Sequence, residues 1–295
     1  VSRRSAKGPD RTGDEDEDED EVVLVFEPHM VTMPPLGEYI AELWERRRFI
    51  RTVARAQIRG KNVNTVAGQF WMILDPLFQA LIYWFLFAII RGGGERSGAT
   101  RMTLLIGSIF LFTFTRISYA DGAKSIVAGK GLMLNSTFPR ALLPIVSVYK
   151  GMATLPPCLA IYLCVHLGTG QPIGQGIALF PILFVMHTAM NLGGALLLAT
   201  LNVYMRDTEK LVSYMLRILF FTTPVIYPVS MLTPTMQKYL VWNPFFNLFA
   251  AYQEIMLGNT PSAGMVAATF FWAVVFLYSG TRIFLSHERS FSLRI

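Results

Sequence analysis

Apolar residues in this chain gather into long runs rather than the short alternations of a soluble fold. Crossing a bilayer takes about 20 consecutive, mostly apolar residues, and six stretches approach that: 69–90, 102–119, 141–167, 177–203, 211–227 and 264–285. The third is interrupted by Pro156-Pro157, and the fifth is short. The pattern predicts an all-α integral membrane protein with six transmembrane helices per protomer. Ahead of the first run, Leu36, Ile40, Leu43 and Trp44 fall at i, i+4, i+7 and i+8, with Glu38, Glu42, Glu45 and Arg46-Arg47-Arg48 around them. That spacing predicts an amphipathic helix. It is too charged to span and suited to the inner headgroup layer, with Trp44 as anchor; it would equally serve to steady the bundle. Between runs five and six, Pro224, Pro228, Pro234 and Pro244 punctuate an apolar segment. Irregular backbone at membrane depth survives only where protein or water meets it. Short re-entrant helices dipping into the outer leaflet are therefore expected there, as candidate gates.

Charge sets the orientation. The chain is 53% hydrophobic and 16% charged, against about 25% charged in soluble domains. Nine of its 20 acidic residues lie in the first 21 positions, including the unbroken run Asp14 to Glu21. Such a run repels itself and reads as a disordered cytosolic tail; no apolar core of a secretory signal precedes it. The remaining basic residues fall mostly on one side: the cluster from Arg46 to Lys61, then Arg116, Lys124, Lys130 and Arg140, then Arg206 and Lys210, then Arg282, Arg289 and Arg294. The other side holds Arg91, Arg96, Arg101 and Lys238. Positive charge favours the cytoplasm, so both termini are expected inside. Three units follow: an acidic tail over 1–30, an interfacial segment over 31–68 and a transmembrane domain over 69–295.

Little in the sequence offers catalysis. Gly129-Lys130-Gly131 is no phosphate loop, and neither a nucleophile elbow nor a zinc-protease helix occurs. Cys158 and Cys164 are too far apart on a helix to bridge and are expected as buried free thiols. The histidines lack metal-ligand spacing. Asp75, Lys150 and Arg217 lie within the runs, where ions are costly and functional by default. Two readings stand: Asp75 pairs with one of the cations, or a surplus cation meets an anionic headgroup from the cytoplasmic leaflet. Aromatics crowd the first and fifth runs. Phe70, Trp71, Phe78, Tyr83, Tyr214, Phe220 and Phe221 would let sugar rings slide past in a channel, or would simply face lipid.

The segment "GKGLMLNSTFPRALLP" between runs two and three is longer than a plain connection needs, and is both polar and apolar. Together with "ELWERRRFI", "GQFWMILDPL", "NVYMRDTEKLVSYMLRILFFTTPVIYPVSML" and "WNPFFNLFAAYQEIMLG", it resembles the transmembrane subunit of ABC-2 exporters. The similarity covers residues 34–295 and points to the branch that moves lipid-linked polysaccharides such as O-antigens, teichoic acids and mycobacterial galactan; the acidic tail and overall match lean towards galactan. The resemblance implies a homodimeric permease of the bacterial inner membrane, embedded in its lipids, with no nucleic acid partner. It also implies two copies of a separate ATPase, which alone binds ATP and Mg. A coupling helix carrying Lys130, Leu132, Asn135, Ser136 and Phe138, ended by Pro139 and Arg140, would press on that ATPase. Arg46, Arg47, Arg48, Arg51 and Lys150 would draw in a diphosphate headgroup. Pro224, Tyr227, Pro228, Trp242, Asn243 and Pro244 would form the outer gate. Asn62 and Gln253 depart from the aromatic and the arginine usual in that family. The readings that compete with this one are an exporter of a small amphiphile or drug, and a membrane-embedded glycosyl- or acyl-transferase.

Overall fold

A computed structural model describes residues 36–61, 68–91, 95–135 and 138–294. The acidic tail and Ser136 lie outside them, as does the side chain of Asn135. The described residues form helices and turns only. α1 (Leu36–Glu45) and α2 (Arg47–Lys61) are the amphipathic pair. They are followed by α3 (Trp71–Arg91), α4 (Glu95–Ala128), α5 (Lys130–Asn135), α6 (Leu142–Gly168), α7 (Phe180–Tyr204) and α8 (Thr208–Thr222). α9 (Pro234–Leu240), α10 (Pro244–Met256), α11 (Ala263–His287) and the short α12 (Phe291–Arg294) complete the chain.

Four helical segments are long and apolar enough to cross a membrane: Gly98–Ala128, Leu142–Gly168, Gln175–Tyr204 and Ala263–His287; Trp71–Leu86 forms a shorter apolar helix. α4 differs most from its expected run. Its 34 residues make a rod of about 51 Å, so Asp121 and Lys124 extend the helix instead of forming a loop. α6 runs unbroken through Pro156 and Pro157. Both prolines sit on its exposed side, while the opposite side packs on α4 and holds the helix together. α8 has 15 residues, about 22 Å, less than the roughly 30 Å of hydrocarbon.

Small residues let the long helices approach. A Cβ on Gly193 of α7 would sit 2.1 Å from the Phe276 carbonyl oxygen of α11, and one on Gly280 of α11 would sit 2.2 Å from the Gly193 oxygen. A Cβ on Gly122 of α4 would sit 2.8 Å from the Ala195 Cβ of α7. Backbones meet directly where helices cannot rely on a hydrophobic drive to associate. The core between α4, α7 and α10 is aromatic: Phe110, Phe114, Phe245, Phe249 and Tyr252 are all buried. Within it, His187 shares a 2.7 Å hydrogen bond with the Thr115 hydroxyl and lies 3.5 Å from the Tyr252 hydroxyl.

The outer prolines divide into two kinds. Pro234 and Pro244 occupy first-turn positions, where a missing N–H costs nothing, behind the caps Thr233 and Asn243. Their side-chain oxygens accept from the Met236 and Phe245 amides. Pro224 and Pro228 lie in the non-helical break after α8. α10 is buried along nearly its whole length.

Candidate functional site

Three places gather polar groups. The first is a cavity of about 170 Å³ among α2, α3, α4 and α6, lined by Ile58, Met72, Asp75, Pro76, Thr113, Arg116, Ile117, Ala120, Asp121, Lys150 and Thr154. Asp75 and Lys150 thus come to one place, but they do not pair. Lys150 Nζ binds Asp121 Oδ2 at 2.5 Å, because the extended α4 carries Asp121 alongside α6. Asp75 and Arg116 make no ion pair or hydrogen bond among the described residues, and Arg217 stands exposed on α8, also without a partner there. The sequence reading placed Arg116 near the end of the second run and Asp121 beyond it, and brought neither to Lys150. Helical spacing was the available signal: Thr113, Arg116, Ile117, Ala120 and Asp121 recur on one face of α4.

The second place is where three distant segments meet. Tyr39 of α1 donates its hydroxyl hydrogen to Glu288 Oε1 at 2.9 Å, and the Arg140 amide donates to the same oxygen at 2.6 Å. The Arg140 guanidinium also bonds the Glu288 carbonyl, and the Ala141 amide lies 3.4 Å from the Tyr39 oxygen. Burial pushes the Glu288 carboxyl above the usual carboxylate range, opposed by the Tyr39 hydrogen bond and by Arg140. Burial and the neighbouring carboxylate hold the Tyr39 phenol protonated. Phe138 stacks near Phe49 of α2, ring centres 5.6 Å apart, above a cluster of Ile126, Leu143, Leu196, Phe284 and Phe291. α5 is described over Lys130–Asn135, and Phe138, which precedes Pro139, is not helical, as the residue before a proline avoids helical backbone. Lys130 and Leu132 of α5 are exposed.

The third place is the break after α8. Gln253, buried in α10, donates to the Pro224 and Tyr227 carbonyls at 2.8 and 2.9 Å and accepts from the Val229 amide at 3.0 Å. Asn243 Nδ2 reaches the hydroxyls of Thr222 and Thr223. Of the other expected gate residues, Pro224 is buried, Tyr227, Pro228 and Pro244 are half-buried, and Trp242 is 77% exposed.

The expected channel aromatics separate. Phe70, Trp71, Phe78, Tyr214 and Phe221 are exposed. Phe220 is buried, edge-on to Phe112 at 5.2 Å, and Tyr83 leans on it at 5.5 Å. Arg46, Arg47, Arg48 and Arg51 are exposed; Arg46 pairs with Glu42, and Arg47 lies over the Trp44 ring. Cys158 is buried as expected, whereas Cys164 is exposed.

A bundle of long apolar helices with broken helices on one side and a polar tie on the other is the architecture of a membrane transport domain. The ABC-2 type transporter family matches residues 48–257, and the chain belongs to it. It is similar to the O-antigen export system permease protein RfbA of Myxococcus xanthus, 25% identical over 86% of this chain and 97% of that protein. It is also similar to two Klebsiella pneumoniae proteins of the same name, each 22% identical over 79% of this chain and 89% of theirs.

Proposed function

We propose that this chain is the permease subunit of an ATP-driven exporter that moves a lipid-linked polysaccharide across the inner membrane. The glycan would be carried on a polyprenyl diphosphate, as galactan or O-antigen. The observation that carries this reading is the match to three O-antigen export permeases over most of each chain. Two copies would pair with two copies of a separate ATPase that binds ATP and Mg. Six crossings would place both termini in the cytoplasm: α3, α4, α6, α7, α8 with the break after it, and α11. α5, with Lys130 and Leu132 exposed, would press on the ATPase. Arg46, Arg47, Arg48 and Arg51 would gather the anionic headgroup at the inner surface. The exposed aromatics of α3 and α8 would line the path, and the break from Pro224 to Pro244 would open outward.

Depletion of the protein tests the reading. Glycan trapped on its lipid carrier inside the cell, with the envelope starved of it, is the expected result. An unchanged glycan pool would replace it with export of a small amphiphile.

A further inference from the structure

The start of α6 carries no cap of its own. Ser, Thr, Asp or Asn usually precedes a helix and accepts from its first amides, whereas Ala141 stands there without a side-chain acceptor. The Leu142 and Leu143 amides turn back onto the Pro139 and Arg140 carbonyls. The Arg140 and Ala141 amides are answered from distant parts of the chain. Glu288 Oε1 accepts from the Arg140 amide at 2.6 Å, and the Tyr39 oxygen accepts from the Ala141 amide at 3.4 Å. The Tyr39 hydroxyl in turn donates to Glu288 Oε1 at 2.9 Å. A carboxylate also suits the positive end of a helix. The cap that the local sequence omits is thus assembled from α1 and from the turn after α11.

That cap sits where α5 is tethered. Gly129 alone joins α4 to α5, and residues 136–139 join α5 to Arg140. Phe138, within that stretch, lies against Phe49 of α2, and the Arg140 guanidinium bonds the Glu288 carbonyl. We propose that Tyr39 and Glu288 form a clasp that opens and closes as one unit, with Glu288 the positioning residue for the connection between α5 and α6. Sharing makes it one unit. Glu288 Oε1 serves two donors, and the Tyr39 hydroxyl donates to Glu288 while accepting from Ala141, so each bond supports the next. The carboxyl also responds to protons. Among the described residues it faces Tyr39 and Glu42 of α1 and Arg140; burial pushes it up, Glu42 adds to that, and Tyr39 and Arg140 oppose it. Opening would return Glu288 to water, so a bound proton favours the closed form. The clasp therefore weakens as pH rises through the raised value. Its bearing on transport rests on the export reading above, in which α5 presses on the ATPase.

The test is residue-resolved hydrogen exchange of the full chain in nanodiscs across the acidic to neutral range, with rates corrected for the intrinsic effect of pH. Exchange reports local opening. Glu288→Ala should speed exchange at both the Arg140 and Ala141 amides by about tenfold or more, the order of a lost charge-assisted hydrogen bond. Tyr39→Phe removes only the acceptor of Ala141, yet should speed Arg140 as well. Glu288→Gln, which keeps an acceptor oxygen without the titration, should retain most of the protection and lose its pH dependence. Unchanged exchange in α7 shows that each variant is folded, and the two milder changes decide the matter if Glu288→Ala does not fold. Exposure of Ala141 alone in Tyr39→Phe and of Arg140 alone in Glu288→Ala would mean independent bonds and overturn the clasp. So would a wild-type pH profile in Glu288→Gln. The measurement does not involve transport, so the clasp can fail while the export reading stands, and that reading falls only with the depletion result.

Discussion

Gln253 makes three hydrogen bonds to the break after α8, more than any other side chain described there. Its replacement by Leu would leave the Val229 amide and two carbonyls without partners, at about 1–3 kcal/mol for each buried group left unsatisfied. The expected outcome is a lower thermal midpoint, with new protease cleavage confined to 223–232; cleavage elsewhere would move the weak point. Lys150 and Asp121 are partly shielded, so removing one partner should cost roughly 1–3 kcal/mol, between the values for exposed and buried pairs. The double change Lys150→Met with Asp121→Leu should cost less than either single change, which unfolding of the three variants would measure. Glu288 supplies a pH dependence. Its carboxyl is raised in the folded state, so the folded protein holds that proton to higher pH than the unfolded chain. Stability from this group is full below the unfolded carboxylate pKa and falls as pH rises through the raised value. Glu288→Gln should flatten that slope in a melting series across the acidic range.

Among the elements, those marked by periodicity were legible and those marked by proline were only half so. α1 and α2 follow their apolar spacing, and α7 and α11 lie close to their expected runs. Proline misled in α6, where Pro156 and Pro157 suggest a break that packing against α4 overrides. It was ambiguous on the outer side, where Pro234 and Pro244 begin helices and Pro224 and Pro228 lie in a true interruption. Cap residues do not separate the two cases in sequence, since Thr223 precedes Pro224 in the break just as Thr233 precedes Pro234 at a helix start. Hydropathy ended the second run at Tyr119, before Asp121 and Lys124 lower it, although the helix continues to Ala128. The cavity was half legible for the same reason: Asp75 and Lys150 stood out as intramembrane ions, while Arg116 sat at the end of its run and Asp121 fell beyond it. Helix contact was not legible at all, since glycine spacing on one helix does not name its partner. Gly280→Leu would drive a side chain into the α7 backbone at Gly193. Overpacking of this kind costs about 1–3 kcal/mol or more, and an equal loss on Gly193→Leu with no change at Gly264→Leu, where space is open, would trace the damage to that crossing.

For the whole molecule, orientation is the statement most directly open to measurement. After replacement of the exposed Cys164, single cysteines at Gly170 and Gln237 should react with impermeant reagents from outside, and one at Lys130 only from the cytoplasm. Labelling of all three from one side would overturn the arrangement of crossings. Tyr39, Arg140 and Glu288 tie the first described helix, the segment after α5 and the residues beyond α11 into one knot. A chain cut back to His287 would keep every long helix and look intact on a gel. It would nonetheless have lost the fastening that holds the Arg140 backbone, so a trimmed or tightly fused C-terminus is a poor starting point for any measurement on the segment between α4 and α6.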